Sequence, residues 1–581
     1  MTETSVLTGK PSVDRPWMKF YPQVLLDMIQ LPHCTLDQYL HDHCPGMDVP
    51  AIEFYGEEVV WETIFAEAEE IARSLRAVGF GEGDQIPTFW HLVPDFIPML
   101  LAAEKIGASI LCRDNTVEEN VEAAVKSGAK TIFVHDYLSQ QALEKFREGG
   151  IETVIVLPAL HHGKRESMPE HIKSCLDSYY SSKCVTDKET MSWETFLQLG
   201  REYTGEVAAP VDIDRPLYRC YTSGSTGPSK QVIHSADTML SILCQMNFYG
   251  SAEGFRPNWL VTCLPPSLVA VVVSMVLLPM ASNKLLIMDP FVFYDDVDLE
   301  VMRYKANNWP QIPLFVDRII NSKRIPADYD MSHLLTGGAG SEALNNKQLR
   351  RAQEFFTSHG CKFRYTTGYG CSEAGSNVSM PMCPKPLGNG NVGVPLPLSV
   401  MSIFKPGTQE ELTYNQVGEI CKTGVGNMLG YDDPKATSKA LQMHDDGNVW
   451  LHMGDMGYMD EDGVIYVVTR GQSPRFGGGY LDIQTMENLV ADADIQGIED
   501  EFFVNCPDEE HEGCFLPYLF VVLKSGYTVD DIRESVLACL EPHMHPEDII
   551  AIKERPFWHF KTNRIGLSQE LQASRRLESV G

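Results

Sequence analysis

Residues 61–157 alternate between two hydrophobic periods, and this alternation restricts the chain more than any other feature. WETIFAEAEEIARSLRAV at 61–78 sets Trp61, Ile64, Phe65, Ile71, Leu75 and Val78 near helical spacing, with Gly79 where a helix would stop. TFWHLVPDFIPMLLAAEKIGASILCRD at 88–114 reads as strand, helix, strand. Thr116 and Glu119 are spaced as a capping box that opens a helix ending near Gly128. TIFV at 131–134 and TVIVL at 153–157 are further strands. Strands that alternate with helices predict a parallel sheet with helices on its faces and right-handed crossovers.

The texture changes near residue 388. Short alternating runs, VMSIF and GEICKT, stand between Gly, Pro and Asn turns and predict a small antiparallel unit. GQSPRFGGG after Arg470 is a hinge or linker. Beyond it FLPYLFVVL reads as a strand and DDIRESVLACL as a helix. The fold class is therefore α/β. A large N-terminal body (1–469) has mixed, mostly parallel sheets with helices, plus a small β unit at about 388–469. A hinge at 470–474 leads to a smaller α+β C-terminal domain, 475–581. The most apolar run, LVAVVVSMVLLPM at 268–280, falls short of the roughly 20 residues of a membrane span and reads as a buried strand or helix.

A formal net charge of −32 argues against non-specific binding to DNA, RNA or anionic membrane. Nucleotide substrates remain compatible, because local donors hold them. Fifteen cysteines without repeated spacing fit reduced thiols in a cytoplasmic protein. In CPDEEHEGC, Cys506, His511 and Cys514 could ligate a metal, but the run reads as a solvated acidic loop. His161 with His162, and His543 with His545, carry similarly weak metal signals.

YTSGSTGPSKQVIH at 221–234 concentrates Thr222, Ser223, Gly224, Ser225, Thr226 and Gly227, with Lys230 three residues on. It follows apolar Leu217-Tyr218 and runs into Val232-Ile233, which suits a tight loop between a strand and a helix better than a linker. Glycines allow close backbone approach, and successive N–H groups with hydroxyls make an anion-binding concavity. A lysine adds a point charge. The chemistry points to phosphate, yet no Gly-Lys pair makes it a Walker A loop.

This stretch resembles the phosphate loop of adenylate-forming (AMP-binding) enzymes, the superfamily of acyl-CoA synthetases, adenylation domains and luciferases. It departs from their pattern at Ser229 and Gln231. GYGCSEAG at 368–375 is similar to their Y-G-x-[TS]-E. The resemblance implies that Tyr369 stacks on adenine, Ser372 donates to the α-phosphate and Glu373 holds Mg²⁺. TGGAGS at 336–341 resembles the strand end lining the adenine pocket, with Gly338 and Ala339 as contacts. WLHMGDMGYMDEDG at 450–463 implies a ribose-binding Asp455, and Arg470 matches the arginine at the family's hinge. RPWMKFYPQ is similar to the opening segment of many long-chain acyl-CoA synthetases.

The resemblance covers nearly the whole chain. It implies a mobile C-terminal domain and two half-reactions using ATP, Mg²⁺ and CoA. A carboxylic acid is adenylated, and the acyl group passes to a thiol. The hinge residue is Gln472 or Ser473, neither the common choice. The family's C-terminal lysine is missing: counting strictly, HFKTNRIGLSQEL sets Gly566 in its place, and Arg564, Lys561 or neither stands in as the cation. LPPSLVAVVVSM at 264–275, with Val269 at the specificity position, has no acid to pair with an ammonium. That favours a fatty or other apolar acid over an amino acid. Two alternatives stand: an enzyme that loads a carrier-protein phosphopantetheine, and a degenerate protein that binds nucleotide without turnover.

Overall fold

The computed structural model describes residues 7–113, 116–181, 190–222, 229–247, 255–386, 388–469, 471, 473–477, 479–558 and 560–580. Its largest sheet has eight strands. Their order is Gly430–Tyr431, Gln231–Ser235, Pro216–Tyr221, Ser109–Cys112, Gln85–Phe89, Thr131–His135, Thr153–Leu157 and Thr190–Ser192. From Pro216–Tyr221 onward the pairings are parallel. These strands are flanked by helices, so Ser109–Cys112 and Thr131–His135 are buried at every position. The helix Trp61–Ala77 buries the expected apolar stripe. The capping box closes on both sides: Glu119 N–H donates to Thr116 Oγ1, and Thr116 N–H to a Glu119 carboxylate oxygen.

The edge of this sheet corrects one expectation. The 221–230 segment does not lead from strand to helix. It joins Pro216–Tyr221 to Gln231–Ser235, which pair antiparallel. Val232 and Ile233 extend the sheet, and the helix Ala236–Met246 starts only after Ser235 has capped it.

A second sheet orders Asn258–Thr262, Leu285–Asp289, Pro50–Phe54 and Glu57–Val60. The 268–280 run is helical and buried. Its wide turn Val271–Leu277 returns the Leu278 N–H to the Val273 carbonyl. Pro279, which has no N–H to donate, follows at once. VMSIF and GEICKT form Ser399–Phe404 and Gly418–Gly424, paired antiparallel beside Val449–Met459. In the C-terminal part, Ile498–Pro507 and Phe515–Leu523 form a hairpin, and Ile549–Ile552 adds parallel to it. Among the described residues, no helix is long and apolar enough to cross a membrane.

Charge stitches the C-terminal part to the body. Arg564 donates to Glu342 Oε1 of the body at 2.7 Å and to Glu487 Oε1 at 2.7 Å, while its Nε–H reaches the Phe503 carbonyl. Thr562 N–H donates to the other Glu342 oxygen at 3.1 Å. Burial opposes the Glu342 charge, but Arg564 and then Arg555 outweigh it and hold the carboxyl below its usual range. A second contact is apolar: Phe560 packs edge-on against Tyr294 and Phe315 of the body. Phe560 has φ 64°, a left-handed conformation rare for a bulky residue and held here by that packing.

Arg564→Met would leave Glu342 and Glu487, whose side chains are 9% and 5% exposed, without their direct ion-pair partner and with Arg555 as the remaining nearby cation. The expected cost is about 3 kcal/mol at this interface. A lower denaturant midpoint and faster proteolysis near 471–480 would register it. Unchanged values for both would mean that other contacts hold the interface.

Candidate functional site

The hairpin that carries the Ser/Gly-rich loop is tied at its base. Thr222 N–H donates to the Lys230 carbonyl at 2.9 Å, and Lys230 N–H to Thr222 Oγ1 at 3.0 Å. Ser229 Oγ donates to the Thr222 carbonyl and receives a hydrogen bond from Arg113 at 3.1 Å. The Arg113 guanidinium lies 4.0 Å from the Tyr221 ring centroid and also pairs with Glu119. Ser223, Gly224, Ser225, Thr226 and Gly227 lie outside the described residues, as does Arg470.

The outermost short strand brings a residue that motif reading missed. Tyr431 pairs in register with Val232, and the Lys230 ammonium lies 4.9 Å from its ring centroid. Its hydroxyl donates to Glu373 Oε1 at 2.6 Å. Burial and the adjacent Glu373 carboxylate push the Tyr431 hydroxyl well up, so it stays a donor at neutral pH. Tyr431 thus joins Lys230 of one motif to Glu373 of another.

Glu373 sits in the turn Ser372–Ala374, ended by Gly375 at φ 75°. The Met428 N–H donates to the Glu373 carbonyl at 2.8 Å. A second tie is His234, whose Nε2 lies 2.8 Å from the Ser372 carbonyl. That carbonyl can only accept, so Nε2 carries the proton. Burial pulls His234 down to about 4, with Ser372 and Glu373 opposing. The ring is neutral at ordinary pH. Behind these groups Lys422 is fully buried, donating to the Val425 carbonyl at 2.7 Å and to Asn427 Oδ1 at 2.6 Å. Burial pulls its ammonium down to about 7.

Tyr369 donates to Asp455 Oδ2 at 2.7 Å, so the expected adenine-side ring and ribose-side carboxylate are neighbours. Gly338 and Ala339 pair parallel with Thr366 and Thr367, two residues before Tyr369. A Cβ on Gly338 would stand 2.6 Å from Thr366 Oγ1, which excludes larger residues there.

A cavity of about 610 Å³ opens at the carboxyl ends of strands from both large sheets. Trp90, His91, Arg113, Tyr137 and Tyr179 line it, and Phe560 enters from the C-terminal part. His91 links the Tyr137 and Tyr179 hydroxyls. The expected apolar acid pocket at 264–275 divides: Pro265, Pro266 and Ser267 line this cavity, whereas Val269, Val271 and Val272 pack in the core.

The two candidate C-terminal cations separate as well. Arg564 is committed to Glu342, Glu487 and Phe503. Lys561 lies in a short strand, next to Phe560. His511 bonds Asp508 in the turn between two strands, consistent with CPDEEHEGC as an acidic loop.

With this geometry in place, the family follows. Residues 43–432 match the family described as AMP-binding enzyme, and the chain belongs to it. It is 26% identical over 562 residues to 4-coumarate–CoA ligase 3 of Arabidopsis thaliana, covering 92% of this chain and 91% of that protein. It is 25% identical to a long-chain-fatty-acid–CoA ligase of Bacillus subtilis, covering 93% and 95%. The anthranilate CoA ligase AuaEII, solved with anthranoyl-AMP, superposes with TM-score 0.75 at 16% identity over 95% of this chain and 99% of its own. ATP-bound MatB from Rhodopseudomonas palustris gives 0.73 at 19% identity over 92% and 99%. At such identities the structures establish a shared fold.

Tyr431→Phe keeps the ring over Lys230 and removes the bond to Glu373. It should lower kcat/KM for ATP about tenfold, the cost of one charge-assisted hydrogen bond. Steady-state kinetics with varied ATP check this. For His234 the folded state resists a proton that the unfolded chain accepts below pH 6.5. Stability present above pH 6.5 should therefore be lost as pH falls to about 4, by about 3 kcal/mol. His234→Gln retains an N–H for Ser372 and cannot titrate. Its unfolding free energy should fall less over that window, and parallel pH curves would refute the assignment.

Proposed function

We propose that the protein is an AMP-forming acid–thiol ligase that adenylates an apolar carboxylic acid and passes the acyl group to CoA. The observation that carries this reading is the chain Lys230–Tyr431–Glu373 at the base of the Ser/Gly-rich hairpin. CoA ligases among the relatives support the thiol. The absence of an acidic residue from 264–275 supports an apolar acid.

In the first step a substrate carboxylate oxygen attacks the ATP α-phosphorus, and the bond to pyrophosphate breaks. Lys230 and the hairpin donors offset charge on the phosphates. Tyr369 and Asp455 hold the adenosine end. Glu373 fits a divalent-ion site: its Oε1 accepts from Tyr431, and carboxylate oxygens are hard ligands suited to Mg²⁺. Mg²⁺ held there would neutralise phosphate charge. In the second step the thiol gives up its proton, its sulfur bonds to the acyl carbon, and AMP departs.

The aromatic cavity is the route we assign to the thiol arm. Its hydroxyl, imidazole and guanidinium tips suit an amide-containing chain better than an alkyl tail. Turning of the C-terminal part about 470–474 would withdraw Phe560 from its wall. Lys561, next to the Phe560 that lines the aromatic cavity, is the cation we assign to adenylation, while Arg564 is engaged by two carboxylates. That engagement also favours a second reading, a protein that binds nucleotide without turnover.

Carboxylate-dependent ATP–pyrophosphate exchange across fatty, aryl and amino acids tests the proposal. Exchange is expected with fatty or aryl acids, and Lys230→Ala and Lys561→Ala should each lower it about 100-fold. Exchange with amino acids alone would overturn the substrate class. No exchange from protein that still binds ATP would select the second reading.

A further inference from the structure

Two clusters outside the candidate site gather metal-ligating side chains among the described residues. Glu419, Cys421 and His452 form one, inside the small antiparallel sheet. The other brings together side chains from two separate segments, with a third beside them. Glu67 comes from the helix Trp61–Ala77 and His161-His162 lie in the turn after Thr153–Leu157, while Asp95, just before the helix Phe96–Ile106, contacts both histidines from the side. That histidine pair has no part in the nucleotide chemistry.

The donor atoms form a connected set. Glu67 Oε2 is 3.1 Å from His162 Nε2, which is 3.7 Å from Asp95 Oδ1, which is 2.6 Å from His161 Nδ1. The donor atoms of Glu67, His161 and His162 all lie within 4.8 Å of one another, close enough to converge on one ion with small side-chain movements, and water would complete a tetrahedral Zn²⁺ shell. Two imidazoles and one carboxylate suit a first-row divalent ion, and the Asp95 carboxylate beside His161 adds a second negative charge nearby. Access is graded. The Asp95 side chain is 2% exposed and His161 is 30% exposed, so a buried anion closes the floor and the rim is open to solvent.

We propose that Glu67, His161 and His162 form a binding site for a first-row divalent cation, with Zn²⁺ the best match and Asp95 hydrogen-bonded to His161 beside it. The bound ion would pin the His161-His162 turn to Trp61–Ala77, and the His161–Asp95 bond ties that turn to the segment leading into Phe96–Ile106. That segment begins at Trp90 and His91, which line the aromatic cavity, so the ion would brace one cavity wall. Without it, the two imidazoles hydrogen-bond the two carboxylates.

The other cluster is the weaker candidate. Cys421 is fully buried, and the His452 and Glu419 side chains are 6% and 10% exposed. The second nitrogen of His452 is already 3.0 Å from His444 Nε2.

The test is calorimetric titration of the metal-stripped full chain with ZnCl₂ in a non-coordinating buffer. One equivalent should bind saturably and raise Tm. His162→Gln and Glu67→Gln should each weaken binding by more than the roughly 10–100-fold lost with a merely supporting group. Glu67→Gln is isosteric on a helix surface, so it guards against misfolding of the other variant. Co²⁺ should bind without a thiolate-to-metal charge-transfer band. Absence of saturable binding, affinity unchanged in both variants, or a thiolate band placing the ion at Cys421 would each overturn the proposal.

Discussion

The candidate site depends on the register of one sheet edge. Lys230 leads directly into Gln231–Ser235, His234 sits within it, and Gly430–Tyr431 pairs on its outer side. Side chains alternate along a strand, so a one-residue slip would turn Tyr431 to the opposite face and break its bond to Glu373. Slippage is opposed from both sides. Val232 is fully buried, and His234 is held by the Ser372 carbonyl. The antiparallel hairpin also explains why a Ser/Gly-rich loop can be ordered at its base, since backbone and hydroxyl groups of Thr222, Ser229 and Lys230 satisfy one another there.

Buried charge appears wherever separate parts of the chain must hold a fixed relation. Arg564 spans Glu342 of the body and Glu487 of the C-terminal part, and Arg555 joins Asp500 beside it. Such groups contribute little net stability over apolar packing but make misplacement costly. An apolar interface tolerates sliding, whereas a half-made ion cluster does not. Phe560 supplies the apolar complement, and its left-handed backbone persists because Tyr294 and Phe315 enclose the ring. A conformation held only by cross-contacts is also one that a change of packing would release.

Local physics made much of the fold legible. Helical and strand periods marked Trp61–Ala77, Thr153–Leu157 and Phe515–Leu523, and Thr116 with Glu119 announced a capped helix. These features arise from neighbours in sequence, so no tertiary knowledge is needed to see them. Motif chemistry likewise marked Thr222, Lys230, Tyr369, Glu373 and Asp455 as candidates, and residues 43–432, which contain the first four, match the AMP-binding family. The sheet edge was misread because an apolar pair after a glycine-rich turn suits a strand or a helix equally well.

Contacts across long separations lay beyond that reading. Nothing near Tyr431 signals Glu373, 58 residues away, and nothing near Arg564 signals Glu342, 222 away. His162 and Glu67 are likewise 95 residues apart and meet only once helix and turn have packed. The sequence by itself determined the alternating architecture, because periodicity, capping and turn chemistry act locally, and its motifs carried the family. The tertiary structure alone decided which charges are spent on holding parts together and which face the candidate site. That choice rests on register and packing, where each group's partner is set by where the whole chain closes.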